Sequence, residues 1–354
     1  MKMNKIINDP DLMVEEMLEG YLFLHGDRFD EIPGIPKSLR KRKMQPKVTI
    51  LIGGGAGNEP WCLGYVGDGL ADVMVSGNVY AAPPAKLLLD AARAVYHEQG
   101  ILFIGTNHMG DVLNFELVGE LAALEGIKTA CVFVNDDVAS DREDPSNRRG
   151  IAGVALAVKI AGAAAELGLS LEEVAAVTQH ALDRLHTVSV TTSPGYMPAN
   201  GKAMCELPAG TVEYGMGFNG EPGFLQEQLP TADRMVERML DVIVADCAQR
   251  ERLAVLVNGF GFMTILEQYI VVKAIKDYGR SRGIDFFHVV RDELFCPQGS
   301  GGFSVTVLEV DDRLAPFYWH RADSPLFRWE PQARDGKRAE DIPMKTATIR
   351  EQQL

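Results

Sequence analysis

The chain has 354 residues, of which 46% are hydrophobic and 24% charged, and a formal net charge of −14 at pH 7. That length suits two globular domains, and the composition suits a large buried core. The acidic balance argues against nucleic acid, which is gripped through Lys and Arg, and equally against an anionic membrane surface.

A first helix is expected from Asp11 to about Leu24, carrying Leu12, Met13, Met17 and Leu18 on its apolar positions. Lys47 to Ile52 is a β-branched run that opens directly onto Gly53-Gly54-Gly55-Ala56-Gly57. Pro84 to His97 has helical periodicity with prolines suited to its first turn. Ile101–Ile104 and Thr129–Val134 read as strands and Asp111–Leu124 as the helix between them. Gly150 to Gly168 is an Ala-rich helix, and Ser170 to Leu185 opens with the capping box Ser170-x-x-Glu173. This alternation predicts a largely parallel sheet with helices on both faces, an α/β architecture. Ligands bind beyond the carboxyl ends of such strands, which places the run at 53–57 beside the loop at 105–111.

After His186 the texture changes. Thr187–Thr192 alternates like a half-buried strand, and a Gly/Pro-rich stretch follows through Gly223. Strands are expected at Val212–Phe218, Leu253–Val257 and Phe303–Val310, with helices at Thr231–Arg250 and Met263–Ser281. A domain boundary therefore falls near 186, giving an N-terminal α/β domain over 1–186, a mixed α/β domain over 187–330, and a polar extension over 331–354. The five cysteines are scattered without a C-x-x-C pair, as for buried free thiols in a reducing compartment. The N-terminus lacks the apolar core of a signal peptide. The most apolar stretch, Ile151 to Gly168, is broken by Lys159 and Glu166, so a cytoplasmic protein is expected.

Three segments carry candidate chemistry. Gly53 to Pro60 (GGGAGNEP) lets backbone approach a ligand, or is simply a turn; it matches neither a P-loop nor a dinucleotide fingerprint. Thr106 to Glu116 (TNHMGDVLNFE) sets an imidazole, an amide and a carboxylate within six residues. Asp111 there is either a favourable charge at a helix start or a general base, and His108 either a surface residue or a catalyst. Gly215 to Gly223 (GMGFNGEPG) contains the hairpin signal Asn219-Gly220, with Glu221 as a turn carboxylate or a ligand contact. Lesser candidates are Val134–Asp141 (VNDDVASD), a divalent-metal site or a solvated loop, and Asn147-Arg148-Arg149-Gly150, an anion-facing or surface-paired stretch.

Together with RRGIAG at 148–153, NGK at 200–202, VNGFG at 257–261 and GGFSVTVLEVDD at 301–312, these segments run in the order of one family. The chain resembles the dihydroxyacetone kinase substrate-binding (DhaK-type) subunit from end to end apart from its tail. The resemblance implies a two-domain α/β homodimer that holds a short ketose, ketone or polyol. It also implies that this chain binds no cofactor itself, and that ATP or ADP with magnesium sits on a separate nucleotide-binding (DhaL-type) partner subunit. The family motif Gly-Ser-Gly-His-Glu-Pro stands here as Gly55-Ala56-Gly57-Asn58-Glu59-Pro60, and its Gly-x-His-Gly-Glu-Pro-Gly as Gly217-Phe218-Asn219-Gly220-Glu221-Pro222-Gly223. The second histidine bonds covalently to the substrate carbonyl in that family. Asn219 cannot, because its amide lone pair is delocalised. The family's loop lysine is Thr106 and a pocket serine is Ala82, whereas its aspartate is kept as Asp111.

By carry-over, Asp111 and His108 are the catalytic candidates, and Gly55, Ala56, Gly57, Asn58, Thr106, Asn219 and Glu221 the substrate-binding ones. A kinase subunit holding its substrate non-covalently is the expectation. A ligand-sensing regulator or co-activator, and a sugar isomerase on the same scaffold, are the alternatives. His186 is expected at a helix end near the domain boundary, the alternative being that it or His108 replaces a lost imidazole.

Overall fold

A computed structural model of the chain describes residues 5–330; the polar extension expected at 331–354 lies outside the described residues. In chain order, the first half contains α1 (Met13–His25), β1 (Phe29–Asp30), β2 (Ser38–Lys41), β3 (Thr49–Ala56), β4 (Val73–Val79), α2 (Ala85–Val95), β5 (Ile101–Thr106), α3 (Met109–Leu124), β6 (Thr129–Val134), α4 (Val154–Glu166) and α5 (Leu171–Leu182). The second half contains β7 (Leu185–Ser193), β8 (Thr211–Tyr214), β9 (Leu225–Gln228), α6 (Ala232–Asp246), β10 (Leu253–Gly259), α7 (Ile265–Arg282), β11 (Phe286–Asp292) and β12 (Gly301–Glu309).

The first sheet runs β1-β2-β4-β3-β5-β6. β3 pairs in parallel with both β4 and β5, and β5 with β6, as the alternating pattern predicts. β1 and β2 add an antiparallel edge that the sequence pattern did not reveal. β4 was also hidden, because Ser76, Gly77 and Asn78 interrupt its apolar run. The second sheet runs β11-β10-β12-β7-β8-β9 and is antiparallel except for β10 with β11.

Side chains alternate across each strand, and the cores follow that alternation. On one face of the first sheet Leu51, Val73, Val75 and Phe103 pack with α2 and α3. On the other face Ile50, Ile52, Leu102 and Ile104 join α4 and α5 in a larger cluster. The second sheet contributes Ala254, Leu256 and Leu308 to that same cluster, while Val255, Val257 and Val305 face α6 and α7. The two sheets thus share one apolar core. Every residue of α4 from Val154 to Ala165 is buried, which explains a helix apolar on all sides. The capping box of α5 forms as expected, with Ser170 accepting from the backbone N–H of Glu173 and Glu173 from that of Ser170.

The glycine run does not form a loop: Gly53, Gly54 and Gly55 lie inside β3. Their lack of side chains serves close packing. A Cβ on Gly54 would sit 2.6 Å from the Trp61 indole nitrogen, and one on Gly55 2.7 Å from the Ala81 backbone nitrogen. Gly54→Val is therefore expected to lower stability by about 2 kcal/mol or more through overpacking, read as a fall in Tm.

Candidate functional site

The carboxyl ends of β3 and β5 open onto a cavity of about 140 Å³. Gly55 comes from β3, Asn58 from the loop after it, and Thr106 is the last residue of β5. His108 stands just before α3, and Asp111 lies in that helix's first turn. From the second half of the chain, the turn Gly217–Gly220 is closed by Gly220 N–H to Gly217 O (3.0 Å) and Gly217 N–H to Glu221 O (2.9 Å). Phe218 and Asn219 occupy its central positions and both line the cavity.

Hydrogen bonding orders these groups. The Thr106 hydroxyl donates to Oδ2 of Asp111 at 2.8 Å. His108 Nδ1 lies 3.0 Å from the same hydroxyl oxygen. A hydroxyl has one proton, and with that proton given to Asp111, Nδ1 of His108 must be the donor to Thr106. A neutral His108 then carries its bare lone pair on Nε2. Burial lowers the His108 pKa from its ordinary value; the charge of Glu221 opposes this and that of Arg149 adds to it. Burial raises the Asp111 carboxyl to about 6, partly offset by the Thr106 hydrogen bond.

Asn219 is held from behind. Its side-chain Nδ2 donates to Oε1 of Glu221 at 3.3 Å, and its backbone N–H to Oε2 at 3.1 Å. An ionised carboxylate only accepts, so the amide must direct Oδ1 away from Glu221. Oδ1 of Asn219, Oδ1 of Asp111 and Oδ1 of Asn58 are all buried without a protein partner. Three orphaned acceptors among the residues that line one cavity are an unusual concentration, since such groups are paired almost everywhere in folded chains.

A Dak1 domain model matches residues 19–326. The chain belongs to the Dak1 family. It is 32% identical over 330 residues to the dihydroxyacetone-binding subunit DhaK of a PTS-dependent dihydroxyacetone kinase from Listeria innocua, covering 92% of this chain and 99% of that one. The crystal structure of the dihydroxyacetone kinase of C. freundii superposes with a TM-score of 0.88 at 27% identity, covering 94% of this chain and 61% of that one. A dihydroxyacetone kinase operon co-activator superposes with a TM-score of 0.81 at 27% identity, covering 87% of this chain and 96% of that one.

Within this Dak1 chain the structure brings Gly55, Asn58, Thr106, His108, Asp111 and Asn219 onto one wall set. Three expected contacts are elsewhere. The Ala56 methyl packs in the shared core, because the strand alternation turns it inward. Gly57, at φ +104, gives its N–H to Glu59 and supports Tyr80, whose ring a Cβ there would meet at 2.8 Å. Glu221 stands behind Asn219. Trp61, Tyr80 and Phe295 also line the cavity, and no local signal marked them, since aromatics in apolar runs read as core. Tyr80 adopts φ 57, a left-handed conformation uncommon for such a residue, and accepts from the Gln298 N–H at 3.2 Å.

The lesser candidates resolve differently from expectation. Asp136 and Asp137 are fully buried rather than solvated. Asp136 accepts from the N–H groups of Ile151 and Gly153, both at 2.7 Å, at the approach to α4. Asp137 pairs with Arg149 at 2.9 Å; burial still pushes its carboxyl up to about 7. Arg148 is not a surface residue but is 4% exposed and grips Asp246 through two bonds of 2.7 and 2.8 Å. His186 lies within β7 rather than at a helix end. Of the five free cysteines, Cys62 alone is fully buried, the others being half-buried.

Proposed function

We propose that this Dak1 chain is a kinase subunit that holds a small hydroxyketone, ketose or polyol without a covalent bond and presents one of its hydroxyls for phosphorylation. The observation that carries the reading is the Asp111 carboxyl, which belongs to a residue lining the cavity and has one oxygen fixed by Thr106 and the other, Oδ1, without a protein partner. A carboxylate held this way accepts a hydroxyl proton as the oxygen attacks phosphorus. Phosphoryl transfer rests mainly on positioning and charge stabilisation, so the loss of an imidazole at position 219 does not remove the chemistry. The phosphoryl donor, a nucleotide with magnesium, resides on a separate DhaL-type partner subunit.

The test mixes the purified chain with a nucleotide-charged partner subunit and a panel of three- to six-carbon ketoses and polyols. Transfer that disappears in Asp111→Asn supports the reading; saturable binding with no transfer for any compound refutes it. The similarity to the operon co-activator favours a second reading, a ligand-sensing regulator. Ligand-dependent association with a transcriptional regulator, without turnover, is its signature.

A further inference from the structure

The turn that brings Phe218 and Asn219 to the cavity is braced by a residue that the proposed chemistry leaves unused. Arg149 stands in the loop before α4 and reaches across to the segment after β8. Its Nη2 donates to the Gly215 carbonyl at 3.0 Å and lies 2.9 Å from Oδ2 of Asp137, while Nε reaches the same carboxylate oxygen at 3.1 Å. Asp137 is fully buried, and its Oδ1 accepts from the Ala139 N–H at 3.2 Å, so the guanidinium has a fixed anchor. Nη1 of Arg149 lies 4.0 Å from Oε2 of Glu221. Glu221 in turn accepts from the backbone N–H of Asn219 on Oε2 and from its side-chain Nδ2 on Oε1.

A connected path therefore runs from Asp137 through Arg149 and Glu221 to Asn219. It suits an arginine, whose planar fork serves several acceptors at once where an ammonium is a point charge. An arginine that only neutralised the buried Asp137 would need neither the bond to Gly215 nor the approach to Glu221. Gly217 records how tightly the pair is seated: a Cβ there would lie 2.2 Å from Oε2 of Glu221 and 2.5 Å from Nη1 of Arg149. Those are the far ends of two flexible side chains rather than backbone, so a methyl group at 217 would displace the pair at little cost to the fold. The same loop also ties the opposite wall, since Asn107 Nδ2, between Thr106 and His108, donates to the carbonyls of Ser146 and Arg148 at 3.0 and 2.7 Å.

We infer that Arg149 is the positioning residue of the Asn219 wall: it holds the Gly215 carbonyl and the Glu221 carboxylate in place, and Glu221 sets the Asn219 amide. The inference rests on the non-covalent site proposed above only for the use that a ligand makes of Asn219.

The experiment follows the Asn219 side-chain amide by nitrogen-15 NMR of the full chain, its two proton signals identified by their loss in Asn219→Ala. Solvent exchange of these protons is expected to rise roughly five- to tenfold in Arg149→Met, the factor that one lost hydrogen bond gives. Glu221→Ala should give a similar rise, and adding Arg149→Met to it should change the rate little, because both substitutions cut one path. Gly217→Ala keeps the bond between Arg149 and Asp137 and should reproduce the rise at a nearly unchanged Tm, which keeps the inference testable if Arg149→Met does not fold. An exchange rate unmoved in Gly217→Ala overturns the inference, as do rises in Arg149→Met and Glu221→Ala that multiply in the double variant. In the transfer assay, Arg149→Met should raise KM about fivefold or more and leave kcat nearly unchanged; a fall in kcat alone overturns the positioning role. The two readings fail separately. A wild-type chain that transfers no phosphoryl group loses the kinase function, and the amide exchange still decides the brace; an amide indifferent to Arg149 removes the brace whatever the chain phosphorylates.

Discussion

Asp111→Asn is expected to reduce phosphoryl transfer by about 10²–10⁴-fold, the range a positioned general base supplies, while ligand affinity changes far less. The amide keeps the shape of the carboxyl and its bond to Thr106 but cannot take a proton. In the wild-type chain, burial holds the Asp111 pKa at about 6. The carboxylate is the working form, so kcat should fall as pH drops through about 6, and Asp111→Asn should abolish that limb of the profile.

Stability should move the other way. The folded pKa lies above the ordinary carboxylate value of 3.8. Folding therefore favours the protonated carboxyl, and the ionised group costs stability at all pH values above that range. The penalty at neutral pH is on the order of 2–3 kcal/mol. Replacing Asp111 with neutral Asn should raise Tm as activity is lost, a trade seen where a strained site serves function. Thermal unfolding at pH 7.5 measures it: a lowered Tm, with transfer retained, would remove Asp111 from the catalytic role.

Arg148→Ala is expected to destabilise the chain by about 2–3 kcal/mol. Its guanidinium lies almost wholly inside the protein and spans from the loop before α4 to the end of α6. A fully buried pair broken from one side costs roughly 3–5 kcal/mol. The cost here is smaller because the Asp246 side chain is 22% exposed and keeps a second partner, His186 Nδ1, at 2.7 Å. His186 Nε2 in turn meets Glu309 at 2.9 Å.

Burial pulls the His186 pKa down, but hydrogen bonds to Asp246 and Glu309 outweigh it and leave it raised. Burial likewise pushes Asp246 up, and the bonds from His186 and Arg148 hold it well below the usual range. His186, Cys247 and Glu309 lie close enough together to suggest a metal site, yet both ring nitrogens are engaged by carboxylates, which is the setting of an imidazolium. The stabilisation from His186 is complete below its unfolded pKa and fades as pH rises through the raised folded value. That from Asp246 is complete above its unfolded pKa and fades as pH falls through the lowered one. Urea unfolding across pH should show the Arg148→Ala penalty shrinking in acid as Asp246 becomes protonated; a penalty independent of pH would refute the ion pair as its source. Because Asn107 Nδ2 donates to the Arg148 carbonyl at 2.7 Å, the substitution should also loosen the loop that carries Thr106 and His108. A rise in KM should exceed the fall in kcat.

Much of the architecture was legible because it rests on local rules. Alternating apolar periods marked the parallel strands β3, β5 and β6 and their helices, and the Ser170 box marked the start of α5. Parallel strands carry ligands at their carboxyl ends, and that rule alone places the run at 53–57 beside the loop at 105–111. Asn219 in place of an imidazole was readable as chemistry, since an amide nitrogen is not a nucleophile wherever it lies.

Tertiary structure alone decided the rest. Whether Asp136 and Asp137 met water or a helix start depended on the distant packing of α4. Arg148 became a buried clamp only once α6 arrived some hundred residues later in the chain. The aromatic walls from Trp61, Tyr80 and Phe295 come together from segments far apart in sequence. Periodicity records which face of an element is apolar, but not which residues of another element will meet it, and both the donors and acceptors left over in the cavity and the charges left paired in the core are settled by that meeting.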